Sequence, residues 1–368
     1  MGPITVIGHP FTPIGMGEQM RSHIAALRAA GAEVRVYDLF RHAPRTDPAH
    51  LALVGEAETD RLGPLRIFHI NGDEVAPALA VLAQRGETLA GGRNIIVPAW
   101  ELPRYPEPWA RELRRFDAVW ALSRFIAGSL AAADIAAPVI GQSVQPLPGP
   151  LLPRRYFGLR EDAVLLLLAF DLTSYATRKN PEGAVALFRR VAALDAARRP
   201  GRPLQLVLKV KDGAQPAEGW AERLGLTDGQ ASVISRPLSA LETRSLIAAC
   251  DVFLSLHRAE GFGRGTAEAM WHGRLALGTG WSGTLDHMEA ETSLLVQARE
   301  VPVPEGAYPH AEGQHWAEPD LDHATALLDR ALREPGWAAA LAARGRAAVR
   351  LRFSDRAIGL RLLAALQG

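Results

Sequence analysis

The chain has 368 residues, 48% of them hydrophobic, enough to fill two α/β cores and too many for one. Its 41 basic and 40 acidic residues leave a net charge of +1, which excludes nucleic acid as the main partner because backbone binding needs a basic excess. Cys250 is the single cysteine, so an internal disulfide is excluded and a cysteine-based metal site is not expected; it reads as a small core residue.

Met1-Gly2-Pro3 leads straight into the apolar stretch 4–7, a buried strand. No charged region followed by a long apolar one is present, and no apolar run reaches membrane-spanning length, so the sequence predicts a soluble cytoplasmic protein. A turn from Gly8 to Gly17 follows, then a helix over about 18–30 with Met20, Ile24 and Leu27 on one face and Gly31 as its stop. Strands are predicted at 33–37, 65–70, 94–97 and 118–121. Pro146, Pro148, Gly149, Pro150 and Pro153 then crowd into a linker. Strands resume at 163–168, 204–210, 231–234, 252–256 and 275–278. The alternation predicts two doubly wound parallel sheets, in domains 1–150 and 151–352. A last helix within 353–368 is expected to cross back to the first domain.

The most informative segment is 260–268, Glu-Gly-Phe-Gly-Arg-Gly-Thr-Ala-Glu. It follows an apolar strand and opens a helix, so Glu260 falls at the strand edge where open α/β sheets bind ligands. Gly261, Gly263 and Gly265 let backbone N–H groups approach a ligand. Glu268 is expected in the first helical turn, where an acid also serves as an ordinary dipole device. A carboxylate does not bind phosphate but accepts hydrogen bonds from sugar hydroxyls. The segment suits a ligand that is half phosphate and half polyol, such as a nucleotide sugar.

Glu260-Gly261-Phe262-Gly263, then Ala267-Glu268-Ala269-Met270 and Gly273 before a strand, resembles the donor-site signature of retaining glycosyltransferases of family 4. Met16-Gly17, Arg178-Lys179-Asn180-Pro181, Ala249-Cys250-Asp251 and Ser282-Gly283 fall in the matching order, so the resemblance covers nearly the whole chain. It implies a GT-B fold: two Rossmann-like domains with the active site in the cleft between them, the first on the acceptor side and the second binding the donor. It implies that Glu260 holds the donor sugar and Glu268 the ribose. The backbone at Phe262, Gly263 and Arg264, with Gly261 and Thr266 beside it, would contact sugar and diphosphate. Gly15 and Gly17 would close over the diphosphate, and Lys179 would neutralise it. Gly15 and Gly17 also read as a plain tight turn. Met20 at the third position breaks any dinucleotide fingerprint and disfavours a dehydrogenase.

Two departures stand out. Where many members carry an arginine before the lysine, this chain has Asp171-Leu172-Thr173-Ser174, with Arg178 the only arginine nearby; Lys209 would supply the second positive charge, or is a solvated strand-end lysine. Where many carry a first-domain histidine, this chain has Pro98-Ala99-Trp100-Glu101, so Glu101 would take the polar role and Trp100 would stack on a sugar, or the two are a helix-start acid and a packed aromatic. His9 and His69 stand at other strand edges. Asp320-Leu321-Asp322 reads as helix capping rather than a metal motif, and no cofactor or metal is expected beyond the donor itself. The expected partners are a nucleotide-sugar donor and a saccharide or lipid-linked acceptor. Basic clusters at 111–115 and 198–202 read as solvated helix ends, with peripheral contact to the inner face of a membrane as the sharper alternative. By resemblance the setting is polysaccharide or glycolipid assembly. The competing functions are a nucleotide-sugar epimerase, a GT-B phosphorylase, or a non-catalytic nucleotide-sugar-binding subunit.

Overall fold

The computed structural model describes residues 2–172, 175–198, 203–211, 225–226 and 229–367. Two of the sequence features, Thr173-Ser174 and the basic run at 198–202, lie outside the described residues and side chains. The chain divides into a unit of Met1–Gln145 with Leu351–Gly368, and a unit of Pro146–Arg350.

Among its described residues, the first unit is built on β1 (Ile4–Gly8), β2 (Val34–Asp38), β3 (Leu65–Phe68), β4 (Arg93–Ile96) and β5 (Ala118–Val119). They form one parallel sheet in the order β2-β1-β3-β4-β5. Helices cover both faces of such a sheet, which is why Val6-Ile7, Ile67-Phe68 and Ile95-Ile96 are buried as consecutive apolar residues, and why even Thr5 is buried. The order reverses between β1 and β3, making a switch point where connections leave in opposite directions. Helix Gly15–Ala29 begins three residues earlier than the periodicity suggests, so Gly15 and Gly17 belong to its first turn. The C-terminal helix Asp355–Gln367 packs on it: a Cβ on Gly359 would lie 2.0 Å from Ala26 O, so only glycine permits the approach. Its end is tied to the sheet by Arg93 Nη1 donating to Leu366 O at 2.7 Å.

Among the described residues, the second unit carries β6 (Val164–Asp171), β7 (Leu204–Lys211), β8 (Ala231–Ile234), β9 (Val252–Ser255), β10 (Leu275–Thr279) and β11 (Leu294–Val296). They are parallel, in the order β11-β10-β9-β6-β7-β8, with the switch point between β6 and β9. One face packs helices Pro181–Arg198 and Leu321–Arg333 against Leu166, Leu168, Leu206 and Leu254. The other packs helix Ala240–Ala249 and Ala269 against Leu165, Leu167, Val207 and Phe253. Cys250 is buried there, and burial pushes its thiol up to about 12. An antiparallel pair, β12 (Ala298–Pro302) and β13 (His315–Pro319), has no counterpart in the sequence reading. No described helix is long and apolar enough to cross a membrane.

Candidate functional site

Two segments meet at the β6/β9 switch point. After β6, one helical turn, Ala176–Lys179, is bracketed by Tyr175 and Asn180, both left-handed at φ 54° and 53°. Asn180 Oδ1 accepts from Gly183 N at 3.1 Å and so caps the next helix, with Pro181 at its first position. After β9 runs the segment 256–260. The two are stapled by backbone and side chain alike. Arg258 N donates to Arg178 O at 2.6 Å, Arg258 Nη1 donates to Thr177 O at 2.8 Å, and Arg178 Nη1 donates to Ala259 O at 3.1 Å. Arg258 is itself held by Glu318 on β13, Nε to Oε2 at 2.6 Å.

The staple brings two cations to one carboxylate. The Lys179 ammonium is ion-paired with Glu260 Oε2, and Arg178 Nη1 lies 3.4 Å from the same oxygen. Burial alone pushes the Glu260 carboxyl up. Lys179, Arg178 and the neighbouring His257 outweigh it and hold the group at about 2, so it is an anion at neutral pH. Both cations use Oε2, and Oε1 has no protein partner among the described residues. Arg178 thus supplies the second positive charge at this carboxylate. Lys209 lies two strands from β9, on β7 beside Ala169, with its ammonium donating to Val210 O at 3.2 Å.

The glycine-rich turn is shaped by its neighbours. Gly283 N donates to Glu260 O at 3.0 Å, and a Cβ on Gly283 would lie 1.9 Å from Gly261 O. Ser282 enters this contact at φ 67°, an uncommon conformation for a residue with a side chain. Gly263 takes φ 82° just before helix Arg264–Trp271, and a Cβ there would meet Thr284 Cγ2 at 2.3 Å. A Cβ on Gly265 would strike the Phe253 ring at 2.4 Å. The protein's own packing therefore demands these glycines. What they leave for a ligand is the helix start, whose first N–H groups have no carbonyl partner within the helix.

Phe262 is buried with its ring centroid 5.2 Å from that of His287. The Thr266 hydroxyl donates to Gly263 O at 2.7 Å and stands 2.8 Å from His287 Nε2, so this buried side chain works inward and Thr266 can offer a ligand only its backbone N–H. Glu268 departs from the sequence reading. The helix starts at Arg264, so Glu268 is its fifth residue, beyond the first turn, and the ordinary dipole role does not account for it. Its carboxylate pairs with Arg264 at 2.6 Å.

His257 was not singled out by the sequence. It is fully buried, Nδ1 lies 2.9 Å from Ser255 O, and Nε2 lies 3.4 Å from Trp281 O. Burial is the chief reason its pKa falls to about 4, so the imidazole is neutral behind Glu260. Its only signal in the sequence is a histidine that continues an apolar strand.

In the first unit the switch point is also bridged. His9, just past β1, places Nε2 2.8 Å from Glu74 Oε1, and Glu74 Oε2 accepts from Asn71 N at 2.9 Å after β3. Gly17 is required by packing, since its Cβ would lie 2.2 Å from Thr12 O. Gly15 is not, because a Cβ there meets nothing within 4 Å. Glu101 is half-buried after β4, near enough to Tyr105, with Asp73 and Glu74, that their charges add to the effect of burial in raising the tyrosine pKa. Trp100 is the packed aromatic of the two alternatives: it is 2% exposed, edge-on to Trp109 at 5.2 Å, with Nε1 donating to Arg104 O. Asp320 caps helix Leu321–Arg333 by accepting from His323 N at 2.9 Å, while Asp322 pairs with Arg190. Among the described residues, no group of three or more His, Cys, Asp or Glu side chains is placed to hold a metal ion.

No protein-family profile and no curated protein matches the sequence. Solved structures do match the fold. Anabaena HepE in complex with UDP and glucose aligns over 100% of both chains at TM-score 0.66 and 14% identity. Sucrose-phosphate synthase from Thermosynechococcus elongatus aligns over 100% of this chain and 98% of its own, at TM-score 0.66 and 17% identity. A glycosyltransferase from Rickettsia africae aligns over 100% and 98%, at TM-score 0.63 and 13% identity. With its two parallel-sheet units, the chain has the GT-B fold.

Proposed function

We propose that the protein is a retaining glycosyltransferase, moving a sugar from a nucleotide-diphosphate sugar to an acceptor hydroxyl without a metal ion. The observation that carries this reading is the pair of cations on Glu260 at the β6/β9 switch point, beside the open start of helix Arg264–Trp271. The solved complexes of HepE with UDP and with UDP-glucose, which share the fold over nearly their whole length, support a nucleotide-sugar donor.

In this reading the diphosphate lies against the helix start and Lys179, which meet the charge that develops as the sugar leaves. Glu260 Oε1 accepts from the donor sugar's hydroxyls, while Oε2 stays anchored by Arg178. The bond from the anomeric carbon to the phosphate oxygen breaks, and its electrons go to the phosphate. The acceptor oxygen bonds to that carbon on the same face, and its proton passes to the leaving phosphate oxygen. Glu260 positions the sugar and does not attack it. Glu268 accepts from the ribose, and Gly15 gives the diphosphate a bare backbone. Glu101 contributes a polar group on the acceptor side, where a saccharide or lipid-linked acceptor would bind.

The test is a panel of nucleotide sugars with saccharide acceptors, scored for nucleoside diphosphate release and for anomeric configuration by NMR. Transfer should persist in EDTA and fall by at least about 100-fold in Glu260→Gln. A folded Glu260→Gln variant with full activity would sink the proposal. Conversion of donor to an isomer without acceptor would point to an epimerase instead.

A further inference from the structure

The basic run that stands out in the sequence at 111–115 is ion-paired in the fold: Arg111 and Arg114 share Glu107, and Arg115 pairs with Glu112. A different set, scattered through the sequence, is not. Arg244, Arg274, Arg346 and Arg350 converge on His272 in the second unit, and none of the five has an ion pair among the described residues. Asp251, whose backbone O accepts from Leu275 N next to Arg274, has its carboxylate occupied by Arg154 at 2.9 Å and by Leu165 N at 2.8 Å.

Of these groups, His272, Arg346 and Arg350 line a groove of about 550 Å³ between helix Pro335–Arg352 and the turn after helix Arg264–Trp271, while Arg244 and Arg274 stand outside its lining. Arg346 and Arg350 stand one turn apart on the same helix face, where like charges repel. Arg346 lies against Gly273, whose added Cβ would be 3.2 Å from Arg346 Cδ, and whose φ of 71° turns the chain into Arg274. Arg350 lies over the Trp271 ring at 5.2 Å, with Nε donating to Trp271 O at 3.3 Å. Nε of Arg244 and Nε of Arg274 are buried with no hydrogen-bond partner. The floor is apolar, made by Ala339, Ala342, Ala343 and Ala347. Because Gly273, in the lining, stands just before β10, the groove lies at the strand ends opposite Glu260.

We propose that this groove is a phosphate-binding site, taking a phosphate ester whose phosphate sits among Arg346, Arg350 and His272 and whose apolar part lies on the alanine floor. Guanidinium groups bind phosphate oxygens through paired N–H donors, and a bound anion relieves the repulsion among them. Burial, and after it the surplus of positive charge, holds the His272 imidazole down at about 4, and a phosphate seated beside it moves that value up.

The test uses the full chain with two probes. Inorganic phosphate is titrated at constant ionic strength while the His272 imidazole is followed by NMR. Vesicles of phosphatidylcholine, alone or mixed with phosphatidylglycerol, are used in sedimentation. Phosphate should raise the His272 titration midpoint and the melting temperature beyond what chloride does. The double variant Arg346→Gln/Arg350→Gln should lose about tenfold or more in phosphate affinity. Ala343→Asp, an exposed change on the floor, should do the same by repulsion without removing an arginine. Retention on the mixed vesicles alone, lost in both variants, identifies a lipid phosphate. A phosphate effect without retention identifies a soluble ester. An unmoved His272 signal with no vesicle preference, or variants that bind like the parent, would overturn the site.

Discussion

Lys179 and Glu260 stand 81 positions apart in the chain and form one ion pair across the β6/β9 switch point. Both are largely buried, at 22% and 14% side-chain exposure, so removing either takes a close charge partner from the other, with Arg178 the remaining cation at Glu260. Lys179→Ala and Glu260→Ala should each destabilise the fold, while the double variant loses less than the sum. A coupling of about 1–3 kcal/mol is expected from urea unfolding of the four proteins in the cycle. Strict additivity would mean that the pair does not hold the switch point together.

How far this site is legible in the sequence follows from the same pair. Glu260 is readable because strand, glycine turn and helix occur consecutively. Lys179 is readable only through the resemblance, since nothing local tells which distant segment the topology brings beside it. The partnership of Arg178 with Glu260 depends on the left-handed turns at Tyr175 and Asn180, non-glycine residues that carry no reliable signal for that conformation. The misplaced start of helix Gly15–Ala29 has a similar cause. Glycines at its first turn look like loop in a pattern of apolar spacing, but helix starts tolerate them. The pair β12 and β13 was missed because Ala298–Pro302 is largely exposed and carries no apolar alternation.

Gly15 and Gly283 make a contrasting pair of substitutions. Gly283→Ala should distort the turn and cost several kcal/mol, because the new methyl would overlap the Gly261 carbonyl and backbone cannot yield cheaply. Gly15→Ala should leave the fold intact, or stabilise it by roughly 0.5 kcal/mol, since the methyl meets nothing and alanine is the better helix residue. If Gly15 lies against the diphosphate, the same methyl lowers donor turnover. Thermal melting beside donor kinetics checks both, and unaltered kinetics in Gly15→Ala would remove it from the donor site.

Acid should destabilise the protein through His257. Its folded pKa of about 4 lies below the ordinary 6.5, so between these values the unfolded chain binds a proton that the folded chain refuses. Stability is full above pH 6.5 and is lost as pH falls toward 4, by on the order of 3 kcal/mol for this group. His50, His69 and His272 are shifted in the same direction, all chiefly by burial, and act in the same way from their ordinary value downward. Glu260 contributes at lower pH, since its stabilisation is present above about 4.5 and is lost as pH falls to about 2. Urea unfolding from pH 7 to pH 4 should show the loss. In a folded His257→Gln variant the slope should fall by about one proton, and an unchanged slope would mean that His257 does not titrate as described.

Arg264 and Glu268 form an i,i+4 pair in the order that suits a helix least, with the cation at the positive end and the acid after it. Such a pair adds little stability, about 0–1 kcal/mol when partly exposed. Glu268 also stands beyond the first turn, so neither capping nor the helix dipole accounts for it. A role toward a ligand does, if its carboxylate accepts from ribose hydroxyls while Arg264 holds it in place. Glu268→Gln should therefore change unfolding free energy by less than about 1 kcal/mol yet weaken nucleoside diphosphate binding about tenfold, the worth of a charge-assisted hydrogen bond. Calorimetric titration with nucleoside diphosphates and their 2′,3′-dideoxy analogues separates the terms. The parent should prefer the ribose form and the variant should discriminate far less. Equal discrimination by both proteins would place the ribose elsewhere.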